Sequence, residues 1–173
     1  MDLYSEFPIQ DLPKKTLLVQ EGDRCLHSYF VIKGCIKSYV LDQTGKEHIL
    51  QFAPENWMIT DLHSLLYEVP ATTYLETIEA TTVRVVPSTL FSIKSSVSAE
   101  QLLIQNQKLL RNIAVAQKRL ADVLGATSKQ RYLNFLETYP GLAQRLPLKH
   151  IAAYIGVTPE YLSNIRRQLM EKP

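Results

Sequence analysis

Apolar and polar residues alternate with a period of two through much of the first half of this chain. The alternating stretches are short and are separated by turn residues, as in the glycine-containing segment 42–46. The alternation predicts strands over residues 47–52, 73–78 and 82–86, and short stretches bounded by turn residues predict strands over 16–19, 29–32 and 35–41. Short strands with turns between them predict a closed or sandwiched all-β unit such as a jelly roll.

The pattern becomes helical near residue 88. Pro87 and Ser88 are typical of a helix start and predict a short helix that reaches Ile93, and a longer helix begins near Ser98. The longer segment has no glycine or proline before Gly125, and one set of its positions recurs at intervals of four and three residues. These positions are Leu102, Asn106, Leu109, Ile113, Ala116, Leu120 and Val123.

This spacing is typical of a coiled-coil seam of about three heptads. The polar Asn106 would fix the register of the seam and favour a two-stranded pairing. We therefore predict that two copies of the chain pair along this helix. A helix that packs only on its own β domain is the alternative.

Residues 148–167 have the pattern of two short crossed helices joined by a tight turn. Gly156 stands at the turn, where a positive φ is favourable only without a Cβ, and the small Ala152 stands where the helices approach most closely. The predicted shared core consists of Ile151, Ile155, Val157, Leu162 and Ile165. A preceding helix is predicted over 129–139, ending before Pro140.

The second of these helices has two distinct faces. Thr158, Pro159 and Glu160 form a strong helix start with a hydroxyl N-cap, a proline at the first position and an acid in the first turn. The apolar face is Leu162, Ile165 and Leu169, and the polar face is Glu160, Ser163, Asn164 and Arg167. A polar outer face held by a short turn fits the DNA major groove, so we predict a helix-turn-helix. An ordinary helical hairpin is the alternative.

Composition narrows the classes of protein that remain. The apolar fraction of 46% supports a packed core, and the chain has neither an apolar run long enough to span a membrane nor the pattern of a secretory signal. Cys25 and Cys35 are too few for a disulfide scaffold or an all-cysteine iron–sulfur site, so we expect reduced thiols in a cytoplasmic protein.

Charge is distributed unevenly along the chain. Residues 1–107 have 8 Lys/Arg and 13 Asp/Glu, a net charge of −5, whereas residues 108–173 have 11 Lys/Arg and 4 Asp/Glu, a net charge of +7. A basic segment around a helix-turn-helix is the pattern expected of a surface that binds phosphate. The alternative is that these charges only solvate the helix faces. The charge distribution alone, without the helix-turn-helix motif, would not exclude this alternative.

These features predict an α+β chain with a β jelly roll over 1–97, a dimerisation helix over 98–125 and a helix-turn-helix domain over 126–173. That order of elements resembles the Crp/Fnr (catabolite activator-like) family of bacterial transcription regulators, especially the Bacteroidetes type, and the resemblance implies that the jelly roll is a cyclic-nucleotide-binding-like domain. The resemblance covers nearly the whole chain and is carried by Gly22 and by residues 33–35, 42–48, 50–53, 55–57, 60–62, 131–136, 139–140 and the helix-turn-helix. It implies a homodimer on a two-fold symmetric site in double-stranded DNA, a β domain that responds to an effector, and RNA polymerase as a partner.

The first departure from the family pattern concerns cyclic nucleotides. Members that bind them use a Gly-Glu pair for the ribose and an Arg-Ser/Thr pair for the phosphate, whereas the matching positions here are Thr60-Asp61 and Ala71-Thr72, with no arginine from residue 61 to 81. A partly buried phosphate without a cation is poorly held, so we predict that the cAMP site is absent. By analogy with the family, an effector pocket would involve Trp57, Asp61, Leu62, Thr72 and Tyr74, unless these side chains only fill the core.

The second departure is the absence of the four cysteines of an iron–sulfur sensor. His27, His48 and His63 lack the spacing of a cupin metal site, so we expect no metal and no other cofactor. No nucleophile–base spacing, glycine-rich phosphate loop or carboxylate pair supports catalysis, so we predict that the chain is not an enzyme. A jelly-roll enzyme is the remaining alternative.

The third departure lies in the recognition helix, where Pro159 and Asn164 replace two arginines that are frequent in the family. Glutamate can accept from cytosine and asparagine prefers adenine, so the half-site should differ from that of the catabolite activator. We expect base contacts from Glu160, Ser163, Asn164 and Arg167. We expect phosphate contacts from Lys149, His150, Thr158 and Arg166, since the sequence after the recognition helix is too short for a C-terminal wing. A small-molecule sensor with weak or vestigial DNA binding is the alternative function.

Overall fold

The computed structural model of the protein describes residues 4–91 and 98–171. The chain divides into two compact units, Met1–Gln107 and Lys108–Pro173. The division falls within the long helix α2 (Ala99–Gly125), whereas the sequence suggested a segment of its own for this helix. The predicted boundary at residue 97 lies outside the described residues.

The first unit, as far as it is described, has eight strands in two antiparallel four-stranded sheets. The strands are β1 (Ile9–Leu12), β2 (Leu17–Val19), β3 (His27–Lys33), β4 (Ile36–Leu41), β5 (Glu47–Ala53), β6 (Met58–Ile59), β7 (Tyr74–Thr77) and β8 (Thr81–Pro87). One sheet has the order β1-β8-β3-β6 and the other has the order β2-β7-β4-β5. The predicted jelly-roll-like β unit is confirmed.

Strands β1 and β6 and the short helix α1 (Leu62–Tyr67) are not predicted by the alternation of residues. In β1 only Leu12 is buried, and β6 has two residues, so neither strand offers a repeated apolar face. Both lie at the edges of their sheet, where β1 pairs with β8 and β6 pairs with β3. Their positions therefore depend on backbone pairing with distant parts of the chain.

The remaining helices are α3 (Ser128–Thr138), α4 (Leu142–Arg145), α5 (Leu148–Ile155) and α6 (Pro159–Met170). The predictions for α2, α3 and the helix-turn-helix pair agree with these bounds to within about two residues, and α4 was not predicted. The helix start predicted at Pro87 and Ser88 is present as a 3₁₀ helix over Ser88–Phe91, and Pro87 is the last residue of β8. The predicted continuation to Ile93 lies outside the described residues.

Apolar side chains of both sheets form the core of the β unit. Those with no exposed surface are Val31, Cys35, Ile36, Phe52, Ala53, Leu75, Val83 and Val86. Cys25 and Cys35 are both buried, and neither forms a disulfide. The β unit is therefore built on packing rather than on a disulfide.

The connection between β3 and β4 requires a glycine at position 34. Gly34 has a φ of +99°, which L side chains rarely adopt. A Cβ placed there would lie 2.6 Å from the Oγ1 of Thr81 and 2.7 Å from the main-chain oxygen of Ala80. The connection therefore packs directly against the start of β8.

Strand β4 also buries a lysine that the sequence pattern does not single out. The Nζ of Lys37 lies 2.5 Å from Glu47 Oε2, 3.6 Å from Glu76 Oε1 and 4.2 Å from the centre of the Tyr39 ring. The side chain of Lys37 is 2% exposed, whereas those of Glu47 and Glu76 are 37% and 22% exposed. Burial, followed by the negative charges of Glu76 and Glu47, raises the pKa of Tyr39 to about 12.

Candidate nucleic-acid interface

The turn between α5 and α6 has the geometry that the glycine pattern predicts. Gly156 is left-handed, with a φ of +75°, and caps the C-terminus of α5. The main-chain N–H groups of Gly156 and Val157 both donate to the carbonyl of Ala152, at 2.9 and 3.0 Å. These two hydrogen bonds close the last turn of α5, and the left-handed Gly156 directs the chain sharply into α6.

The core shared by α5 and α6 is the predicted one. Ile151, Ala152, Ile155, Leu162 and Ile165 are buried, and Val157 and Leu169 are half-buried. An aromatic cluster of Tyr132, Phe135, Tyr139 and Tyr154 continues this core toward α3. The sequence analysis did not identify this cluster, although Tyr132, Phe135 and Tyr139 recur at the helical spacing of three and four residues.

The N-terminus of α6 is capped as predicted. The Oγ1 of Thr158 accepts from the N–H of Tyr161 at 3.2 Å, and Pro159 is the first helical residue. The N–H of Glu160 and the hydroxyl of Thr158 donate to the Glu160 carboxylate and lower its pKa. Glu160 is therefore held as an anion at the exposed start of α6.

Further along α6, the side chains of Ser163, Asn164 and Arg167 are exposed on the same face as Glu160. Arg167 Nη2 donates to Asn164 Oδ1 at 3.1 Å, and Arg167 Nε lies 4.0 Å from Glu171 Oε1. The hydroxyl of Ser163 donates to the main-chain oxygen of Pro159 at 3.0 Å. The four residues expected to contact bases thus share one polar face, on which Asn164 and Arg167 form a pair.

The residues expected to contact phosphate have different environments. Lys149 is exposed in the first turn of α5, and His150 is half-buried next to it. Arg166 is half-buried on α6, and the hydroxyl of Thr158 serves the N-cap. Contacts of these four residues with phosphate stay predictions. Among them, Lys149 is the cation whose side chain is most accessible to solvent.

The last helical carbonyls of α5 are bound by two arginines from other helices. Arg119 on α2 donates through Nη2 to the main-chain oxygen of Tyr154, and Arg131 on α3 donates through Nε to that of Ile155 at 2.7 Å. Side-chain contacts also join α2 to α3, between Lys118 Nζ and Glu137 Oε2 at 2.5 Å and from Asn134 Nδ2 to Asp122 at 2.6 Å. Neither arginine was singled out for this contact by the sequence.

All seven positions of the predicted dimer seam are exposed on α2. Its large apolar members, Leu102, Leu109, Ile113, Leu120 and Val123, are 41% to 60% exposed, and Asn106 and Ala116 are exposed with them. Leu103, Leu110 and Leu124, which the sequence analysis did not include, are also exposed. A single copy of the chain therefore leaves a long apolar surface uncovered on this helix.

In the β unit, Asp61 holds together the segments on either side of α1. Its Oδ1 accepts from the N–H of Ser64 at 2.9 Å, which caps α1. Its Oδ2 accepts from the N–H groups of Thr72 and Thr73 and from the Thr73 hydroxyl, at 2.9 to 3.1 Å. Burial tends to raise the pKa of Asp61, but these hydrogen bonds outweigh it and lower the pKa. Both carboxylate oxygens are therefore already occupied within the protein.

The other expected pocket residues differ in exposure. Trp57 is buried and Tyr74 is half-buried, with the Tyr74 ring stacked on Tyr39 at 5.0 Å, whereas Leu62 and Thr72 are exposed. A surface pocket of about 210 Å³ lies elsewhere, near the start of β3. It is lined by Leu18, Val19, Asp23, Arg24, Cys25, Leu26, His27 and Tyr29, a set that shares no residue with the predicted effector pocket.

Within the described ranges, no three His, Cys, Asp or Glu side chains are grouped as a metal site would require. His48 instead pairs with Asp42, its Nε2 lying 2.7 Å from Asp42 Oδ2. The ring of His63 lies 5.0 Å from that of Tyr67. Among helices of the described residues, none has the length and hydropathy needed to cross a membrane.

The chain is similar to known proteins along most of its length. Residues 9–93 match the cyclic nucleotide-binding domain family. The cAMP-activated global transcriptional regulator CRP of Salmonella typhimurium is 21% identical over 175 residues, covering 95% of this chain and 83% of that protein.

Solved structures extend the similarity across both units. FixK2 from Bradyrhizobium japonicum superposes with a TM-score of 0.76 at 20% identity, covering 95% of this chain and 84% of that one. The c-di-GMP-responsive global regulator CLP of Xanthomonas campestris gives 0.74 at 15% identity, covering 96% and 88%. The narrower likeness to Bacteroidetes regulators stays a prediction. Residues 9–93 therefore match the cyclic nucleotide-binding domain family, and the chain has the fold of solved transcription regulators of the Crp/Fnr family.

Proposed function

We propose that the protein is a homodimeric, sequence-specific DNA-binding transcription regulator. The observation that carries this proposal is the recognition helix α6, with a capped N-terminus, a buried apolar face and an exposed polar face of Glu160, Ser163, Asn164 and Arg167. A rigid helix of this kind can enter the major groove and present donors and acceptors to base edges. The net charge of +7 in residues 108–173 supports contact with phosphates.

The exposed apolar surface of α2 supports the proposed dimer. If a second α2 packed against this surface, the side chains of Leu109, Ile113 and Leu120 would be removed from water, which would stabilise the pair. A parallel pair of such helices has a two-fold axis and would present two recognition helices to a symmetric site. The proposed partners are thus a second copy and double-stranded DNA, with RNA polymerase as a further partner of a cytoplasmic regulator.

The environment of Asp61 supports a regulator that does not respond to cAMP. Its two oxygens accept four hydrogen bonds from Ser64, Thr72 and Thr73, so they are not available to a ribose hydroxyl. No arginine is present from residue 61 to 81 to neutralise a cyclic phosphate. Trp57, Leu62, Thr72 and Tyr74 remain candidates for an effector of another kind, and no cofactor or catalytic activity is proposed.

Selection of bound duplexes from random-sequence DNA tests the function. We expect enrichment of a palindrome whose half-sites are about one helical turn, or roughly 34 Å, apart. Sedimentation should show a dimer, and cAMP should change neither the selected site nor its affinity. A monomer at micromolar concentration that enriches no sequence would refute the proposal.

A small-molecule sensor with weak or vestigial DNA binding is the second candidate function. The replacement of two family arginines by Pro159 and Asn164 favours it, because both changes remove donors from the face of α6 that would meet the bases. A dimer whose thermal unfolding responds to a small molecule, but which enriches no duplex with or without it, would support this alternative.

A further inference from the structure

The C-terminus of α5 is held from outside by two guanidinium groups. The last carbonyls of a helix have no partner within it and carry partial negative charge. Here the carbonyl of Tyr154 accepts from Arg119 and that of Ile155 accepts from Arg131. Two cations on different helices thus bind adjacent carbonyls immediately before the helix-turn-helix turn.

Both arginines are held in position by more than one contact. Arg131 also donates through Nη1 to the carbonyl of Ala126 at 2.9 Å and through Nη2 to the Ser128 hydroxyl at 3.2 Å. The Arg119 guanidinium lies 4.2 Å from the centre of the Tyr154 ring, above its face. A planar guanidinium fixed at several atoms constrains both the distance and the orientation of the groups that it joins.

The C-terminal half of α2 therefore has two different faces. Lys118, Arg119 and Asp122 point toward α3 and α5, where each has a partner. Ile113, Leu120 and Val123 lie roughly a third of a turn away around the helix and are exposed. The face that would bind a second copy and the face that holds the DNA-binding helices belong to the same rigid segment.

We propose that Arg119 is a positioning residue that makes the protein selective for the spacing between two half-sites. This inference rests on the proposed dimer and its DNA binding. Pairing of the two α2 helices would fix the orientation of each α2 about its own axis. Arg119 would then fix the orientation of α5, and thereby of the recognition helix α6, relative to α2. Without this contact, α2 would act on the helix-turn-helix only through α3, by the Lys118–Glu137 and Asn134–Asp122 contacts and the short connection at residues 126–127, so we expect α5 and α6 to turn more freely.

The consequence for DNA binding is a preference for one separation of the half-sites. Adding one base pair between them moves the second half-site by about 3.4 Å and rotates it by roughly a tenth of a turn. A rigidly held pair of recognition helices cannot follow both changes, so wild-type affinity should fall about tenfold per added or removed base pair. A loosely held pair can follow them, at the cost of affinity for the optimal site.

The test compares wild type with Arg119→Met, which keeps the apolar stem and removes the charge and donors. Binding is titrated on the selected palindrome and on versions with the centre changed by one or two base pairs. Arg111→Met, which removes an exposed arginine two turns earlier on α2, is the matched control. We expect the ratio of affinities for optimal and altered spacing to fall to about threefold in Arg119→Met and to stay near the wild-type ratio in Arg111→Met.

The variant Arg119→Lys provides a second measurement if Arg119→Met does not fold. It retains the charge but not the planar fork, so we expect an intermediate spacing ratio in a folded dimer. A uniform loss of affinity on all spacings, or an unchanged ratio in both variants, would overturn the positioning role while leaving the proposed function intact. A wild-type chain that selects no duplex would overturn both.

Discussion

Thr73 contacts Asp61 through both its main-chain N–H, at 3.1 Å, and its hydroxyl, at 2.9 Å. The same carboxylate caps α1 through the N–H of Ser64. One side chain thus joins the start of α1 to the segment that leads into β7. Asp61 is therefore a structural centre of this part of the β unit.

Replacing Asp61 with asparagine should lower the stability of the β unit. In Asp61→Asn an amide NH2 would face N–H and O–H donors, so we expect a loss of about 2–3 kcal/mol in the free energy of unfolding at pH 7. The pKa of Asp61 is lower in the folded state than in the unfolded chain. Its contribution is therefore complete above pH about 4 and disappears as the pH falls through the folded-state pKa.

Urea unfolding followed by Trp57 fluorescence at pH 7, 5 and 3 measures this effect. The difference between wild type and Asp61→Asn should be similar at pH 7 and 5 and smaller at pH 3. Asp11→Asn, which removes an exposed carboxylate from β1, should change stability by no more than about 0.5 kcal/mol. A difference that does not vary with pH would show that ionisation of Asp61 is not the cause.

Gly34 should tolerate substitution much less well than Gly45. Both have a positive φ, but a Cβ on Gly34 would overlap Thr81 and the carbonyl of Ala80, whereas a Cβ on Gly45 would meet nothing within 4 Å. We expect Gly34→Ala to cost about 3 kcal/mol or more and Gly45→Ala to cost about 1 kcal/mol. Denaturant midpoints at a constant m-value would measure both, and equal losses would contradict the close approach of the β3–β4 connection to β8.

The buried charge of Lys37 predicts an asymmetry between its partners. Because Glu47 and Glu76 reach solvent, Lys37→Met leaves carboxylates that water can stabilise, and we expect a change within about 1 kcal/mol. The double variant Glu47→Gln/Glu76→Gln leaves a buried cation without a countercharge and should cost about 3 kcal/mol. Chemical denaturation measures the loss of unfolding free energy in both variants. A larger loss in Lys37→Met than in the double variant would contradict this prediction.

Charges placed in the α2 seam should separate the proposed dimer. Ile113→Glu/Leu120→Glu would bury two carboxylates in an apolar interface, so we expect the dissociation constant to rise at least about a hundredfold. Ala121→Glu adds a charge at an exposed position off the seam and should leave the dimer intact. Sedimentation velocity at micromolar concentration distinguishes these outcomes, and a dimer that survives the double change must form elsewhere.

The contact between Arg167 and Asn164 bears on how the recognition helix selects bases. Since Asn164 orients the guanidinium on the exposed face, we expect Arg167 to contact a guanine, and Arg167→Ala to lose about 1–3 kcal/mol of discrimination at one base pair. A phosphate contact would instead weaken binding to all sequences and lower the salt slope by about one. Titrations on a panel of single-base changes at several salt concentrations separate the two roles. Unchanged affinity in Arg167→Ala would exclude both.

The predicted parts of the fold are those whose structure is determined by residues that are close together in the sequence. Gly156, Thr158 and Pro159 act on their own turn and helix start, so their effect is visible over a few positions. The edge strands β1 and β6 escaped prediction because their only strong determinant is pairing with strands far away in the chain. Tyr132, Phe135 and Tyr139 do recur at helical spacing, but their contact with Tyr154 on α5 forms only when the helices pack together.

The amino-acid order was sufficient for six of the eight described strands of the β unit, for the long helix α2 and for the two faces of α6, since hydrophobic periodicity and caps are local properties. It was not sufficient for the roles of Lys37, Asp61 and Arg119. In each case folding brings partners from 10 to 35 residues away within hydrogen-bonding distance of the charged side chain. Desolvation makes such contacts strong, and only the tertiary structure decides which charges are desolvated together.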